Sequence, residues 1–246
     1  MSMEELVNEL NELNESEDIN ETLKYLTSKF HREIILTSSL SVEDQVITHM
    51  ASSFSEQIKI IVLDTGRLHE ETYKLIDKSR DFFGTNYLIY YPDAGELENF
   101  TKENGVNSFY KSVDLRHKCC EIRKINPLKR ALSNCDIWIT GLRREHSPNR
   151  SSLKYFEFDE KFQCIKFNPI LDWSTEKVWS YIKKHNLPYN PLYDNNYSSI
   201  GCEPCTRAVR PGEDIRAGRW WWESSEKKEC GLHFENGQVK RVKENG

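Results

Sequence analysis

Apolar positions along this chain fall into two rhythms. In the first thirty residues they recur at helical spacing: Leu6, Leu10 and Leu13, then Ile19, Leu23, Leu26 and Phe30. The spacing predicts an N-terminal helical appendage over residues 1–30. From residue 33 the rhythm changes. Short, nearly unbroken apolar runs read as strands: Glu33 to Thr37, Ile58 to Leu63, Asn86 to Tyr91 and Asp136 to Thr140. Helical patterns intervene from Val42 to Ser53 and from Leu68 to Phe83. Strands that are apolar on both faces belong to a mostly parallel sheet with helices on both sides, an α/β fold. Its connections are expected to be right-handed crossovers. After Arg150, Lys154 to Phe158 and Gln163 to Phe167 predict a hairpin, and Ser174 caps a helix that runs to His185. From Leu187 the chain is irregular and rich in Pro, Tyr and Gly, an extension expected to lie over the carboxyl edge of the sheet. The expected organisation is the appendage followed by one α/β domain over residues 31–246.

Composition narrows the class. A chain of 246 residues buries a sizeable core without disulfides. Its opening, Met1-Ser2-Met3-Glu4-Glu5, is acidic where a secretory signal is basic, and no apolar run approaches the length of a membrane span. The expectation is a cytoplasmic protein with no membrane partner. In that compartment thiols stay reduced, and paired cysteines bind metal or do catalysis more often than they form bridges. The net charge of −5 argues against a nucleic-acid partner. Charge is also unevenly spread. Residues 1–30 carry eight Asp/Glu against two Lys, while residues 116–150 carry nine Lys/Arg against three Asp/Glu. That basic stretch reads either as a solvated face or as a pocket for a small polyanion.

Five of the seven cysteines carry the candidate chemistry. Cys119 and Cys120 are adjacent, Cys202 and Cys205 form a Cys-Glu-Pro-Cys pair, and Cys230 stands near the end between Glu229 and Gly231. Two pairs supply four thiolates, enough for one zinc ion or one iron–sulfur cluster. Adjacent cysteines are an unusual spacing for zinc, which favours the cluster. Cys230 has Lys227, Lys228 and His233 near it, and reads either as a spare surface thiol or as a reactive one, since positive neighbours raise the thiolate fraction. Cys135 and Cys164 lie in or beside strands and read as buried apolar fillers. Ser38, Ser39 and Ser41 stand between a strand and a helix, where such residues either simply cap the helix or offer hydroxyls and backbone N–H groups to an anion. Asp64-Thr65-Gly66 ends the second strand, where open α/β sheets bind ligands. Arg143 and Arg144 follow another strand, and Arg207, Arg210, Arg216 and Arg219 crowd the segment after Cys205. Guanidinium forks match sulfate and phosphate oxygens. Trp220-Trp221-Trp222 reads either as packing for the extension or as a lid.

Taken together, these motifs resemble the assimilatory adenylylsulfate (APS) reductases, the iron–sulfur branch of the APS/PAPS reductase family. The matching pieces are Ser38-Ser39-Leu40-Ser41-Val42-Glu43-Asp44, Leu63 to Tyr73, Lys118 to Lys124, Thr140 to Ser147, Gly201 to Arg207 and Glu229 to His233. The resemblance implies an adenine-nucleotide α-hydrolase-like fold with a catalytic tail over about 206–246. It implies a [4Fe–4S] cluster on Cys119, Cys120, Cys202 and Cys205, and Cys230 as nucleophile with His233 beside it in the catalytic group. By the same resemblance Ser38, Ser39, Ser41, Asp64, Lys124, Arg143, Arg144, Arg216 and Arg219 hold the substrate. The implied reaction reduces APS to sulfite and AMP through a cysteine S-sulfonate, with thioredoxin or glutaredoxin as electron donor. Use of the 3′-phosphorylated substrate, PAPS, and assembly into a homo-oligomer are both compatible with it. A tRNA-thiolating relative on the same fold would need a Gly-Gly pyrophosphate loop, which Ser38-Ser39-Leu40-Ser41 does not supply.

Overall fold

The computed structural model describes residues 2–13, 18–146, 150–214 and 216–223. Six strands form one sheet: β1 (Glu33–Thr37), β2 (Ile58–Leu63), β3 (Tyr87–Tyr90), β4 (Cys135–Ile139), β5 (Phe156–Asp159) and β6 (Cys164–Phe167). They lie in the order β3-β2-β1-β4-β6-β5. All neighbours run parallel except β5 and β6, the expected hairpin, which pair antiparallel at one edge. The chain passes from β1 outward through β2 to β3, then returns to place β4 on the other side of β1. That reversal leaves a crevice beyond the carboxyl ends of β1 and β4, the place where such sheets accept ligands.

Side-chain alternation along the strands divides the core. Ile34, Leu36, Ile137 and Ile139 face one way and meet α3 (Val42–Ala51) and α8 (Thr175–Lys184) through Val46, Ile47, Val178 and Ile182. Ile35 and Trp138 face the other way, against Leu128 and Ala131 of α7 (Asn126–Ala131). Helix α4 (Glu70–Phe83) follows β2, and its Leu75 packs on Val62 and Leu40. Its C-cap, Gly84, takes the left-handed conformation at φ 61° that ends many helices. Helix α5 (Ala94–Asn104) follows β3. Helix α6 (Val113–Cys120) runs through a π-type turn, Glu121–Ile125, directly into α7. No helix among the described residues is long and apolar enough to cross a membrane.

The first thirty residues form two helices, α1 (Met3–Leu13) and α2 (Ile19–Lys29). Asp18 caps α2 by accepting from the backbone N–H groups of Asn20 and Glu21. Leu10, Leu23 and Leu26 are wholly buried in the same core cluster as α3 and β1. The Asn11 amide donates to the Phe156 carbonyl at 2.9 Å and accepts from the Phe156 N–H at 3.0 Å, covering the exposed edge of β5. These helices therefore stabilise the sheet rather than hang from it. Leu23→Ala is expected to lower stability by about 2–5 kcal/mol, the usual cost of truncating a buried leucine. A urea titration followed by circular dichroism checks this; a change under about 0.5 kcal/mol would show that α2 is dispensable to the core.

Candidate functional site

The crevice is built from the loops that leave β1 and β4. After β1 the chain turns through Ser38-Ser39-Leu40 without a glycine. Leu40 adopts φ 60°, a conformation costly for a leucine, and is held there by burial of its side chain against Val62 and Leu75. Ser38 Oγ accepts from the Leu40 N–H at 3.1 Å, and Ser41 Oγ caps α3 by accepting from the Asp44 N–H at 3.2 Å. Ser39 donates twice to Asp44 Oδ2, from its N–H and its hydroxyl, both at 2.7 Å. The first turn of α3 therefore carries two buried carboxylates, Glu43 and Asp44, a feature that their charge conceals in the sequence. Burial, with the adjacent Glu43 charge, pushes the Asp44 carboxyl up to about 6 despite its bonds from Ser39. Burial acts on Glu43 in the same sense, but the hydrogen bond from His146 and the charge of Arg143 outweigh it and hold the carboxyl at about 2.

Arg143 comes from the loop after β4. Its guanidinium is buried, donates to Glu43 Oε1 at 2.9 and 3.1 Å, and also reaches Glu145 at 2.6 Å and the Trp173 carbonyl at 2.9 Å. Gly141 makes this approach possible. A Cβ there would collide with Asp44 Oδ1 and stand 3.1 Å from Glu43 Cβ. Arg143 lines the cavity, but its donors are engaged with protein groups. Arg144 turns away to Asp172 and the Leu153 carbonyl and does not line the cavity. Asp64 is likewise off the cavity wall, accepting from the Gly66 N–H at 2.7 Å and the Tyr73 hydroxyl at 2.8 Å.

The cavity itself encloses about 700 Å³, in the range of small-molecule sites. Ser38, Ser39 and Ser41 line it, as do Lys124, Arg216 and Arg219. Its wall gains Arg150 and Arg210 as further cations. Arg219 is buried, and its Nε has no hydrogen-bond partner among the described residues. Gly201 admits that guanidinium, because a Cβ there would lie 2.6 Å from Nη2 of Arg219. A buried guanidinium with an unpartnered Nε on a cavity wall has a donor to offer an anion.

A second, smaller chamber adjoins the first. Cys119, Cys120, Cys202 and Cys205 all line it, together with Arg67, Arg116, Arg123 and Lys124. Residues eighty positions apart in sequence thus share one space. Lys124 and Cys202 belong to both cavities. Adjacent side chains on a regular helix diverge by about 100°. Here the π-type turn begins directly after Cys120, a distortion that recurs at functional sites. Burial pushes the Cys205 thiol up to about 12, with the neighbouring Cys202 adding to it and Lys124 and Arg219 opposing. Burial also raises Cys119. Thiols in this condition ionise when a metal charge replaces the lost solvent. The donor chemistry is that of a thiolate-bound group: four sulfurs lining one chamber, surrounding cations to balance thiolate charge, and Thr65 Oγ1 at 3.2 Å from Cys202 Sγ. Among the described residues no three His, Cys, Asp or Glu side chains are grouped to hold a single metal ion.

The extension closes both cavities. The Arg207 N–H donates to the Gly218 carbonyl at 3.0 Å and the Trp220 N–H to the Cys205 carbonyl at 3.2 Å, folding residues 206–220 back on the Cys-Glu-Pro-Cys loop. Trp220 is buried between two guanidiniums, Arg116 at 4.5 Å and Arg219 at 4.7 Å from its ring centre. Arg116 also makes a bidentate, fully buried ion pair with Glu223, both bonds at 2.8 Å. Trp220 is thus packing and not a lid. Cys230 and His233 lie outside the described residues.

A nucleotide-sized, cation-lined cavity at the switch point of a parallel sheet defines an α/β nucleotide-binding protein. Residues 33–208 match the family model of the phosphoadenosine phosphosulfate reductase domain. An adenosine 5′-phosphosulfate reductase of Burkholderia cepacia is 49% identical over 204 residues, covering 83% of this chain and 82% of its own. Another from Sinorhizobium fredii strain USDA 257 is 43% identical over 232 residues, covering 94% and 92%. Among solved structures, phosphoadenylyl-sulfate (PAPS) reductase from Candida auris, in a phosphate complex, superposes with a TM-score of 0.70 at 27% identity, covering 85% of this chain and 98% of its own. The chain belongs to the APS/PAPS reductase family, and its fold is the family's mostly parallel α/β sheet.

The Asp44 carboxyl gives this site a pH signature. Its folded value, about 6, lies above its ordinary 3.8. Between those values the native state holds more protons than the unfolded chain, so this group lowers stability as pH rises through the window. Asn at position 44 cannot ionise and removes that slope. The stability of Asp44→Asn relative to the parent is therefore expected to improve by about 1–3 kcal/mol between pH 4 and pH 7. Urea melts at both pH values test it; a difference that stays constant would mean Asp44 is charged throughout.

Proposed function

We propose that this protein reduces adenosine 5′-phosphosulfate to sulfite and AMP in the cytoplasm, with a [4Fe–4S] cluster in the thiol chamber and thioredoxin or glutaredoxin as electron donor. One observation carries the reading: the four-thiol chamber and the nucleotide-sized cavity share Lys124 and Cys202. Relatives at 43–49% identity bear the APS reductase name, whereas the solved structure named for PAPS is 27% identical. This favours the substrate without the 3′-phosphate.

The adenylate enters at the carboxyl ends of β1 and β4, with the Ser38–Ser41 loop and the first turn of α3 at its floor. Lys124, Arg216 and Arg219 hold the sulfate and phosphate oxygens. The Cys230 thiolate attacks the sulfate sulfur; an S–S bond forms, the bond to the AMP phosphate oxygen breaks, and AMP leaves with the electron pair. The cations offset the repulsion between a thiolate and a sulfate and stabilise charge on the leaving phosphate. A donor thiolate then attacks Cys230 Sγ and expels sulfite, as in thiol–disulfide exchange. When bound to Cys119, Cys120, Cys202 and Cys205, the cluster supplies a fixed charged centre beside Lys124. His233 adds a basic group next to the nucleophile.

Enzyme mixed with APS alone is expected to release one AMP per chain and gain the mass of one sulfonate, mapped to Cys230. Cys230→Ser should form no adduct while retaining colour and AMP binding. Turnover by that variant, or an adduct on Cys135 or Cys164, would remove Cys230 from the mechanism. Arg216→Ala, at a cavity-lining side chain that is only half-buried, is expected to weaken APS binding by about ten- to a hundredfold, the loss of one charge-assisted contact, with the melting temperature nearly unchanged. Cys119→Ser should lose iron and visible absorbance together.

A further inference from the structure

Beside the thiol chamber the surface carries an aromatic platform that the reaction itself does not use. Tyr110 and Trp221 are 43% and 40% exposed, and Val106, a few residues before Tyr110, is 64% exposed. The Trp222 ring stands 4.5 Å from Tyr110 and 4.9 Å from Trp221, centre to centre, in edge-on contacts. The Tyr110 hydroxyl donates to the Pro204 carbonyl at 2.9 Å, fixing the platform to the Cys-Glu-Pro-Cys loop. Arg67 lies over the Phe109 ring behind it and donates to the Val106 carbonyl. Exposed aromatics held rigidly from two sides are the composition of a protein-binding surface, not of ordinary solvent-facing surface.

Chain length says which partner. Glu223 is pinned by its buried ion pair with Arg116, and Trp221 and Trp222 immediately precede it. Cys230 follows Glu223 by seven residues. An extended chain of that length reaches at most about 25 Å. Any protein that discharges Cys230 must work inside that radius, and the platform lies at its centre. We propose that Val106, Tyr110, Trp221 and Trp222 form the docking surface for the electron donor, a small protein presenting a Cys-x-x-Cys dithiol on an apolar face. This rests on the reading of Cys230 as the sulfonated nucleophile. In the docked pair one donor thiolate attacks Cys230 Sγ, the bond to the sulfonate breaks, and sulfite departs with the electron pair. The second donor thiolate then attacks the mixed disulfide, releasing the Cys230 thiolate and the oxidised donor. Over the whole cycle the donor loses two electrons and the sulfur that entered as sulfate gains them.

Trp221→Ser and Val106→Asp test the proposal, since both side chains are exposed and neither lines a cavity. With either, AMP release from APS alone and discharge of the adduct by dithiothreitol are expected to match the parent. The KM for reduced thioredoxin is expected to rise roughly tenfold or more, as for loss of an interface anchor. Calorimetric binding of thioredoxin to the parent and both variants reads docking without the chemistry. Weaker binding supports the proposal even if the parent forms no adduct, a result that would instead overturn the assignment of Cys230. Unchanged thioredoxin affinity and KM in both variants overturn the docking surface. So does an equal loss of AMP release or of dithiothreitol discharge, which would mark the platform as a seat for this chain's own tail. A shift in sedimentation with thioredoxin kinetics untouched would make it a contact between two copies and overturn it as well.

Discussion

Two carboxylates are buried in the first turn of α3, and the floor of the cavity depends on how each is satisfied. Glu43 is paired with Arg143 and hydrogen-bonded to His146 from the loop after β4, and Asp44 accepts two hydrogen bonds from Ser39 after β1. The helix N-terminus favours both charges, but burial this complete needs specific partners as well. The consequence is mechanical. The loops that leave the two central strands are joined through one helical turn, and Gly141 lets them close to contact. The serine loop can therefore stay open toward a ligand without a glycine-rich sequence, because its shape is fixed from beneath.

From that floor the site extends by sharing residues rather than by adding domains. The helix carrying Cys119 and Cys120 continues through the π-type turn that holds Lys124, and Lys124 faces both cavities. Cys202 does the same from the opposite side. Two residues, one cationic and one a thiol, therefore belong to both cavities at once.

The parallel sheet was legible because buried strands are apolar on both faces, and the pairing of cysteines was legible because it is local in sequence. The placement of Arg143 and Arg144 was not. Both were expected to hold substrate; what the sequence did not reveal is that each also has a carboxylate partner, Glu43 for Arg143 and Asp172 for Arg144, brought close by the fold. The first thirty residues read as an appendage because amphipathic spacing shows that a helix buries one face but not against what. Leu10 and Leu23 bury it in the main core. Trp220 was ambiguous for a related reason: its two guanidinium neighbours come from segments more than one hundred residues apart.

That sandwich has a further consequence. Trp220 touches Arg116, which belongs to the cysteine-bearing helix, and Arg219, which belongs to the anion cavity. A single ring on the wall of the cavity thus links a guanidinium of the thiol chamber, Arg116, to one of the cavity, Arg219. Thermodynamic reciprocity then applies: if filling the thiol chamber tightens the hold of the cavity on an anion by some factor, an anion in the cavity must tighten the chamber's hold on its own occupant by the same factor. On this geometry the occupancy of the cavity and the occupancy of the thiol chamber form one linked equilibrium, each readable in the affinity of the other.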